Sequence, residues 1–547
     1  MDDHIRVSNV HRVFPQPPPN ITTLNHPPPP LIELSFLDAF WVQIRPIQRL
    51  LFYRTHSPFP SIVRSLISSL SLTLHTFRPF SATLSLSPDS RDLVIDCTGD
   101  GGVDFVVAES DEDLERLVAD HAGQYNWEAY RRLAPELDAG RLPAPVLAVK
   151  VTGFRGGFAV GVSLHHVAAD GHSLSRFMKF WAETCRSGEV KVIKEEITFD
   201  RTVVKHPRKS DICRRYLDTL APSRPYMPIS AAHNSAHLAR RTFIATTKII
   251  ESLKTAAATT HRGESAVETE PPTTFVAIVA HAWICVVRAK ETEHESTLHF
   301  RADCRSRVDP PISYGYCGNC VKVCVVKSRV ADLFDEGGLA HACGAIQEAI
   351  DDAGRDPLKG CEDWAQYAVR ALPGGVVNFV GSHKFGFYKV DFGWGRPGRV
   401  EFVSMHYDGT VVLHDTRDDE GGVQLSLALP PYQMEAFATF FHWDEFRALV
   451  PCLDIGRLPA PVLSVQVTGF EGGFAVGISA HHMLVDGRAL WLFMKAWAES
   501  CRTNNGPAAS VSAGLCFDWT VVRYPQSQEF YRRCIKTFAP SLPTIFH

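Results

Sequence analysis

The stretch SLHHVAADG at residues 163–171 sets His166 and Asp170 four positions apart around three small apolar residues. An imidazole has its ordinary pKa near working pH, so His166 in a cleft can take the proton from an attacking hydroxyl. Asp170 can orient that ring directly, or it can pair with an arginine and fix the turn; the second role suits a carboxylate placed across a turn. His165 precedes His166 on a strand, points to the opposite face and belongs with the core. The same alternation separates His165, His166, Asp170 and His172, and no further His/Cys set with ligand spacing accompanies them, so no metal is expected.

Other chemistry-bearing patterns fail on their context. Cys317-Gly318-Asn319-Cys320 has C-x-x-C spacing, but no second pair completes a zinc site and no proline sits between the thiols. GWGRPG at 393–398 satisfies G-x-G-x-x-G, yet Pro397 and the strand-like RVEFVSMHY beyond it open no helix that could hold a pyrophosphate. No G-x-S-x-G elbow occurs. The histidine motif returns as SAHHMLVDG at 479–487, placing a second candidate base at His482.

The elements around the first motif are readable. LAVKVTGFRGGFAVGVSLHH (147–166) predicts two strands joined through Gly156-Gly157. After Asp170-Gly171, Leu174, Phe177, Met178 and Trp181 fall at i, i+3, i+4 and i+7, one face of an amphipathic helix. His166 and Asp170 are therefore expected at a strand-to-helix turn, where side chains reach a cleft. RSLISSLSLTLHTF (64–77) has near-helical spacing, a helix is expected around 274–290, strands near 375–413, and a loose polar loop over 255–273. Mixed strands and helices throughout predict an α/β (α+β mixed) protein of two lobes.

With 547 residues, 45% hydrophobic and 21% charged, the chain has the composition of a globular protein with room for two or more domains. Fifty-six basic against 60 acidic residues, with no block of one sign, argue against nucleic acid as a partner. The N-terminus MDDHIRVSNV lacks the order of a signal peptide, and the longest apolar run, 275–287, is too short to span a bilayer. A cytoplasmic enzyme without a membrane partner is expected, its 14 cysteines reduced and mostly buried.

Residues 127–186 align without a gap to 443–502, and FDRTVVKHP (199–207) to FDWTVVRYP (517–525). Residues 443–547 thus read as a partial duplicate of 127–229, a fragment whose apolar strands lack their partners. An exchange of the two copies within one fold is a conceivable consequence of their near identity.

HHVAADG at 165–171 and DFGWG at 391–395, in that order and at about that separation, resemble the plant BAHD acyl-CoA-dependent acyltransferases. SFLDAFWVQIRPIQRLLFY (35–53), VAESDEDLERL (107–117), FRADCRSRVDPP (300–311), YCGNCV (316–321) and FGFYKVDFGWGRPGRVEFVSM (385–405) extend the resemblance over essentially all of residues 5–442. It is greatest toward the anthocyanin and phenolic glucoside malonyltransferase branch. Two positions depart from the pattern: Cys317 stands where that branch has Phe, and FRPFSA (77–82) where the family has F-x-P-L-A-G.

The resemblance implies two similar lobes of the chloramphenicol acetyltransferase kind: residues 1–240 carrying HHVAADG and 241–442 carrying DFGWG, with a channel at their interface. It implies His166 as base, Asp170 paired with Arg305 or Arg307, and Asp391, Gly393, Trp394 and Gly395 as a structural motif. Asn319, Ser382 and Phe385 would line the channel. The co-substrate would be acyl-CoA, malonyl-CoA foremost, with no permanently bound cofactor; the acceptor would be a phenolic or flavonoid glycoside and the protein a monomer. An aromatic or acetyl donor, a peptide-synthetase condensation domain and an inactive fusion product are the alternatives.

Overall fold

The computed structural model describes residues 5–18, 29–99, 101–119, 127–190, 196–227, 237–262, 265–268, 270–369, 376–418, 421–441, 463–470, 473–480, and several positions between 490 and 497. Residues 1–442 form one compact unit and 443–547 a second.

In the first unit, Gly157–Leu164 is buried along its whole length, as a continuous apolar run demands of a central strand. It pairs on one side with Leu147–Phe154 and on the other with Ile47–Arg54. The hairpin closes through Arg155 and Gly156, the latter at φ +87°, so the turn lies one residue earlier than the Gly-Gly pair suggests. The sheet has six strands, in the order Ile5–Val13, Val103–Ser110, Leu147–Phe154, Gly157–Leu164, Ile47–Arg54, Arg399–Phe402. A second six-stranded sheet runs Ala239–Ala245, Val423–Leu429, Thr410–Asp415, Val376–Gly381, Glu295–Asp303, Val321–Arg329.

The helix Gly171–Ser187 lays Leu174, Phe177, Met178 and Trp181 into the first core, against the helix Phe59–Thr76. Trp181 Nε1 donates to Leu66 O at 3.3 Å and Ser69 Oγ at 3.1 Å, so the largest side chain on that face is also satisfied. Gly188, at φ +72°, ends the helix in the left-handed conformation that glycine adopts without strain. The helix Thr274–Ala289 fills the core of the second sheet. In FRPFSA, Phe77 and Phe80 pack on Phe177 with ring centroids 5.4 and 5.2 Å apart.

Two features differ from the sequence-based expectations. The stretch 255–273 contains the end of the helix Thr247–Ala258 and a hairpin, Thr259–Arg262 with Ser265–Glu268, in place of a loose loop. The strand Arg399–Phe402, from the second half of the sequence, pairs antiparallel with Ile47–Arg54 and so belongs to the first sheet. With it, Cys304, Tyr316, Cys320, Tyr388, Val390 and Phe392 enter the first core, so residues from beyond 240 contribute to the core of the first sheet.

In the second unit, Leu463–Phe470 and Gly473–Ala480 pair antiparallel with Leu463 opposite Ala480, the register that Leu147 and Leu164 have in the first copy. Val467 is 64% exposed where its counterpart Val151 is 0% exposed. The hairpin and its register are reproduced, while Leu463, Val465 and Val467 are exposed. His482 and the other residues of 481–487 in the second motif lie outside the described residues.

Candidate active site

The central strand ends at Leu164, and His165 and His166 begin the turn into the helix that Asp170 caps. His165 is buried, its Nδ1 accepting from Val167 N–H at 3.3 Å, and burial with His166 alongside lowers its pKa to about 4. It is a core residue. His172 faces elsewhere and meets Tyr314 O at 3.1 Å.

His166 is half-buried, with its ring stacked on Trp41 at 4.4 Å and 12° between planes. Nδ1 is closed off from solvent and has no hydrogen-bond partner among the described residues, whereas Nε2 is not closed off. Burial lowers its pKa to about 4, and the charge of Arg301 adds to that; its own backbone, Asp170 and Asn319 pull the other way. The imidazole is therefore neutral at working pH, the state required of a base.

The turn beneath it is held from three elements. Asn319 Nδ2 donates to His166 O at 2.9 Å, Val167 O at 3.2 Å and Asp38 Oδ1 at 3.0 Å. Asp38, fully buried, also receives Arg201 Nε at 3.2 Å and forms a capping box with Ser35 at the start of the helix Phe36–Ala39. That helix leads directly to Trp41, so one carboxylate ties the stacking ring to the turn that carries His166. Sequence reasoning singled out neither Asp38 nor Trp41; the S-x-x-D pattern ahead of an apolar run was the available signal.

Asp170 spends both oxygens away from the imidazole. Oδ1 accepts from Ser173 N at 2.9 Å and Ser173 Oγ at 2.8 Å, capping the helix; Oδ2 accepts from Arg305 Nη2 at 2.8 Å and Cys320 N at 3.1 Å. Burial pushes its pKa up, but Arg305, with His172 and Ser173, outweighs that and holds it below the ordinary value. Arg305, 0% exposed, also reaches Asp303 Oδ2 at 3.1 Å and Gly318 O at 3.0 Å. Arg307 does not reach Asp170; it donates to Asp303 O. Cys317 and Cys320 are free buried thiols, and burial pushes Cys317 up to about 12, the opposite of a reactive thiolate.

The DFGWG segment lies on the first core. Asp391 Oδ1 accepts from Gly393 N at 2.8 Å and Gly395 N at 2.9 Å, folding a turn in which both glycines have positive φ. Phe392 meets Trp181 edge-on at 4.9 Å, Trp394 meets Phe158 at 5.3 Å, and Tyr53 Oη donates to Val390 O at 2.9 Å. The motif thereby fastens the second half of the chain to the helix and strand that flank His166. Phe385 O accepts from Ser175 Oγ at 2.6 Å, and its ring lies where a side chain at Gly171 would stand. Ser382 accepts from Phe385 N and Lys384 N, which makes it a turn residue. Away from these, His206, Cys361 and Glu362 stand close together, but Arg208 already pairs with Glu362.

Comparison with known proteins bears on the family and the fold. A Salvia splendens malonyl-coenzyme:anthocyanin 5-O-glucoside-6'''-O-malonyltransferase is 31% identical over 474 residues, 81% of this chain and 98% of that protein. Phenolic glucoside malonyltransferase 1 of Arabidopsis thaliana is 28% identical over 468 residues, again 81% and 98%. The crystal structure of vinorine synthase superposes with a TM-score of 0.60 at 21% identity, covering 79% of this chain and 96% of that one, which speaks for the fold. F. graminearum TRI101, solved with coenzyme A and T-2 mycotoxin, gives 0.57 at 17% identity over 76% and 98%. No helix among the described residues is long and apolar enough to cross a membrane. The profile of the transferase family matches residues 20–443 and again 438–538, and the chain belongs to that family, the BAHD acyl-CoA-dependent acyltransferases.

Proposed function

We propose that the protein transfers an acyl group, malonyl foremost, from acyl-CoA to a hydroxyl of a phenolic or flavonoid glycoside, with His166 as general base. The observation that carries this reading is the state of His166: neutral, stacked on Trp41, Nδ1 enclosed and Nε2 open. A proton on the enclosed Nδ1 leaves the Nε2 lone pair for the acceptor hydroxyl. As Nε2 takes that proton, the oxygen attacks the thioester carbonyl; the tetrahedral oxyanion then collapses, the C–S bond breaks, and the imidazolium returns the proton to the departing thiolate. An imidazolium disfavoured by burial gives up its proton readily, which suits the second half of this cycle. Asp170 acts on the fold through Arg305 and the helix cap, and on the imidazole only through a charge that opposes the effect of burial.

Residues 443–547 are, on this reading, a non-catalytic partial duplicate, and the working enzyme is a cytoplasmic monomer built from 1–442. Malonyl-, acetyl- and hydroxycinnamoyl-CoA assayed against a set of phenolic glucosides test the substrate assignment. Malonyl transfer to a glucoside should dominate; a preference for another donor would replace malonyl, and no transfer from any donor would refute the proposal.

A further inference from the structure

Arg301, on the strand Glu295–Asp303 of the second sheet, carries its guanidinium 5.9 Å from the Trp41 ring that stacks on His166. Nη1 donates to Asn378 Oδ1 and to Phe379 O. Nε and Nη2 make no hydrogen bond among the described residues, and neither is closed off from solvent. Arg201, Arg305 and Arg399 are buried more deeply than the half-buried Arg301, and each has a carboxylate, from Asp38, Asp170 and Glu401 respectively. Arg49 has none, but it lies between Phe387 and Phe402 with His414 against Nη1, and its Nε is enclosed. Among the described residues, Arg301 has neither a carboxylate nor a closed pocket.

Removing a guanidinium from water costs free energy unless a partner replaces the water, and burial has pushed Arg301 down to about 10. A planar fork with one edge committed and the other open is the shape that binds a carboxylate by two parallel hydrogen bonds. We propose that the open edge of Arg301 receives a substrate carboxylate beside the catalytic base, in the first place the free carboxylate of a malonyl donor; this rests on the acyltransferase reading above. The donor is favoured as the source by connectivity. The carboxylate of malonyl-CoA is one methylene from the carbonyl that is attacked, so it must come to rest near His166, whereas a carboxylate on an acceptor need not.

The test compares malonyl-CoA with acetyl-CoA, which differ by that carboxylate, on one neutral phenolic glucoside, using the full-length chain and its Arg301→Gln and Arg301→Lys variants. Arg301→Gln should lower kcat/KM for malonyl-CoA by about 10- to 100-fold, as expected for losing a charge-assisted hydrogen bond, and change it less than about twofold for acetyl-CoA. Arg301→Lys should recover part of the loss. Equal losses with both donors at unchanged thermal unfolding would overturn the inference and make Arg301 structural. A malonyl-to-acetyl ratio that stays constant while transfer to a carboxylated acceptor collapses would overturn the donor as the source and assign the carboxylate to the acceptor. A wild-type enzyme active with other donors but not with malonyl-CoA would instead overturn the malonyl reading itself.

Discussion

Enclosing His166 against Trp41 lowers its pKa to about 4, which keeps it unprotonated through the physiological range at the cost of basicity at rest. Because its folded pKa lies below the ordinary 6.5, the base form persists as pH falls, so kcat/KM should show no imidazole limb near 6.5 and should begin to fall only toward about pH 4. Initial rates across that range decide it, and a limb centred near 6.5 would contradict the enclosed ring. Asp170→Ala leaves Arg305 buried beside a lost partner and uncaps the helix, a destabilisation of about 3–5 kcal/mol in urea unfolding. A variant with altered pH dependence but full stability would mean that the carboxylate acts on the imidazole after all. The pair His166 and Asp170 was legible in the sequence because its context is local: strand, turn, cap, helix. Choosing Arg305 over Arg307 was not, since two residues on one segment differ only in which one reaches the helix N-terminus. Trp41 and Arg301 were hidden for a related reason, because an aromatic and a cation in apolar runs look like any core residues until two elements meet.

Among the elements, the strand Arg399–Phe402 and the DFGWG turn before it do the joining. The strand extends the first sheet beside Ile47–Arg54, and Phe392 and Trp394 fix the turn against Trp181 and Phe158. Asp391→Ala removes the acceptor of two backbone hydrogen bonds and should cost about 1–3 kcal/mol in unfolding experiments, with kcat within a few-fold of wild type. A loss of kcat comparable to that of a base mutant would instead place Asp391 at the chemistry. Helix faces and the hairpin 147–164 were readable from periodicity, which is a property of one segment. Strand exchange was not, because a sheet neighbour is chosen by partners far away in the chain, and the hairpin over 259–268 was masked by its polar composition.

At the scale of the whole molecule, His165, His166, His299 and His406 all have pKa values lowered to about 4 by burial, and His414 lies well below the ordinary value for the same reason. Between about pH 6.5 and 4 the unfolded chain binds protons that the folded one refuses, so stability is present above 6.5 and drains away as pH falls through that window. Thermal unfolding between pH 7 and pH 5 should show a falling Tm, and a constant Tm would argue that these rings are not enclosed. The repeat restarts near residue 442, where the first compact unit ends, and Val465 and Val467 are exposed on the hairpin of the second. Acyl transfer by His166→Ala and His482→Ala, each checked for unchanged unfolding, tests the account most directly. His166→Ala should lose about 10²- to 10⁴-fold in kcat while His482→Ala keeps wild-type turnover; full activity in His166→Ala, or its loss in His482→Ala, would contradict it.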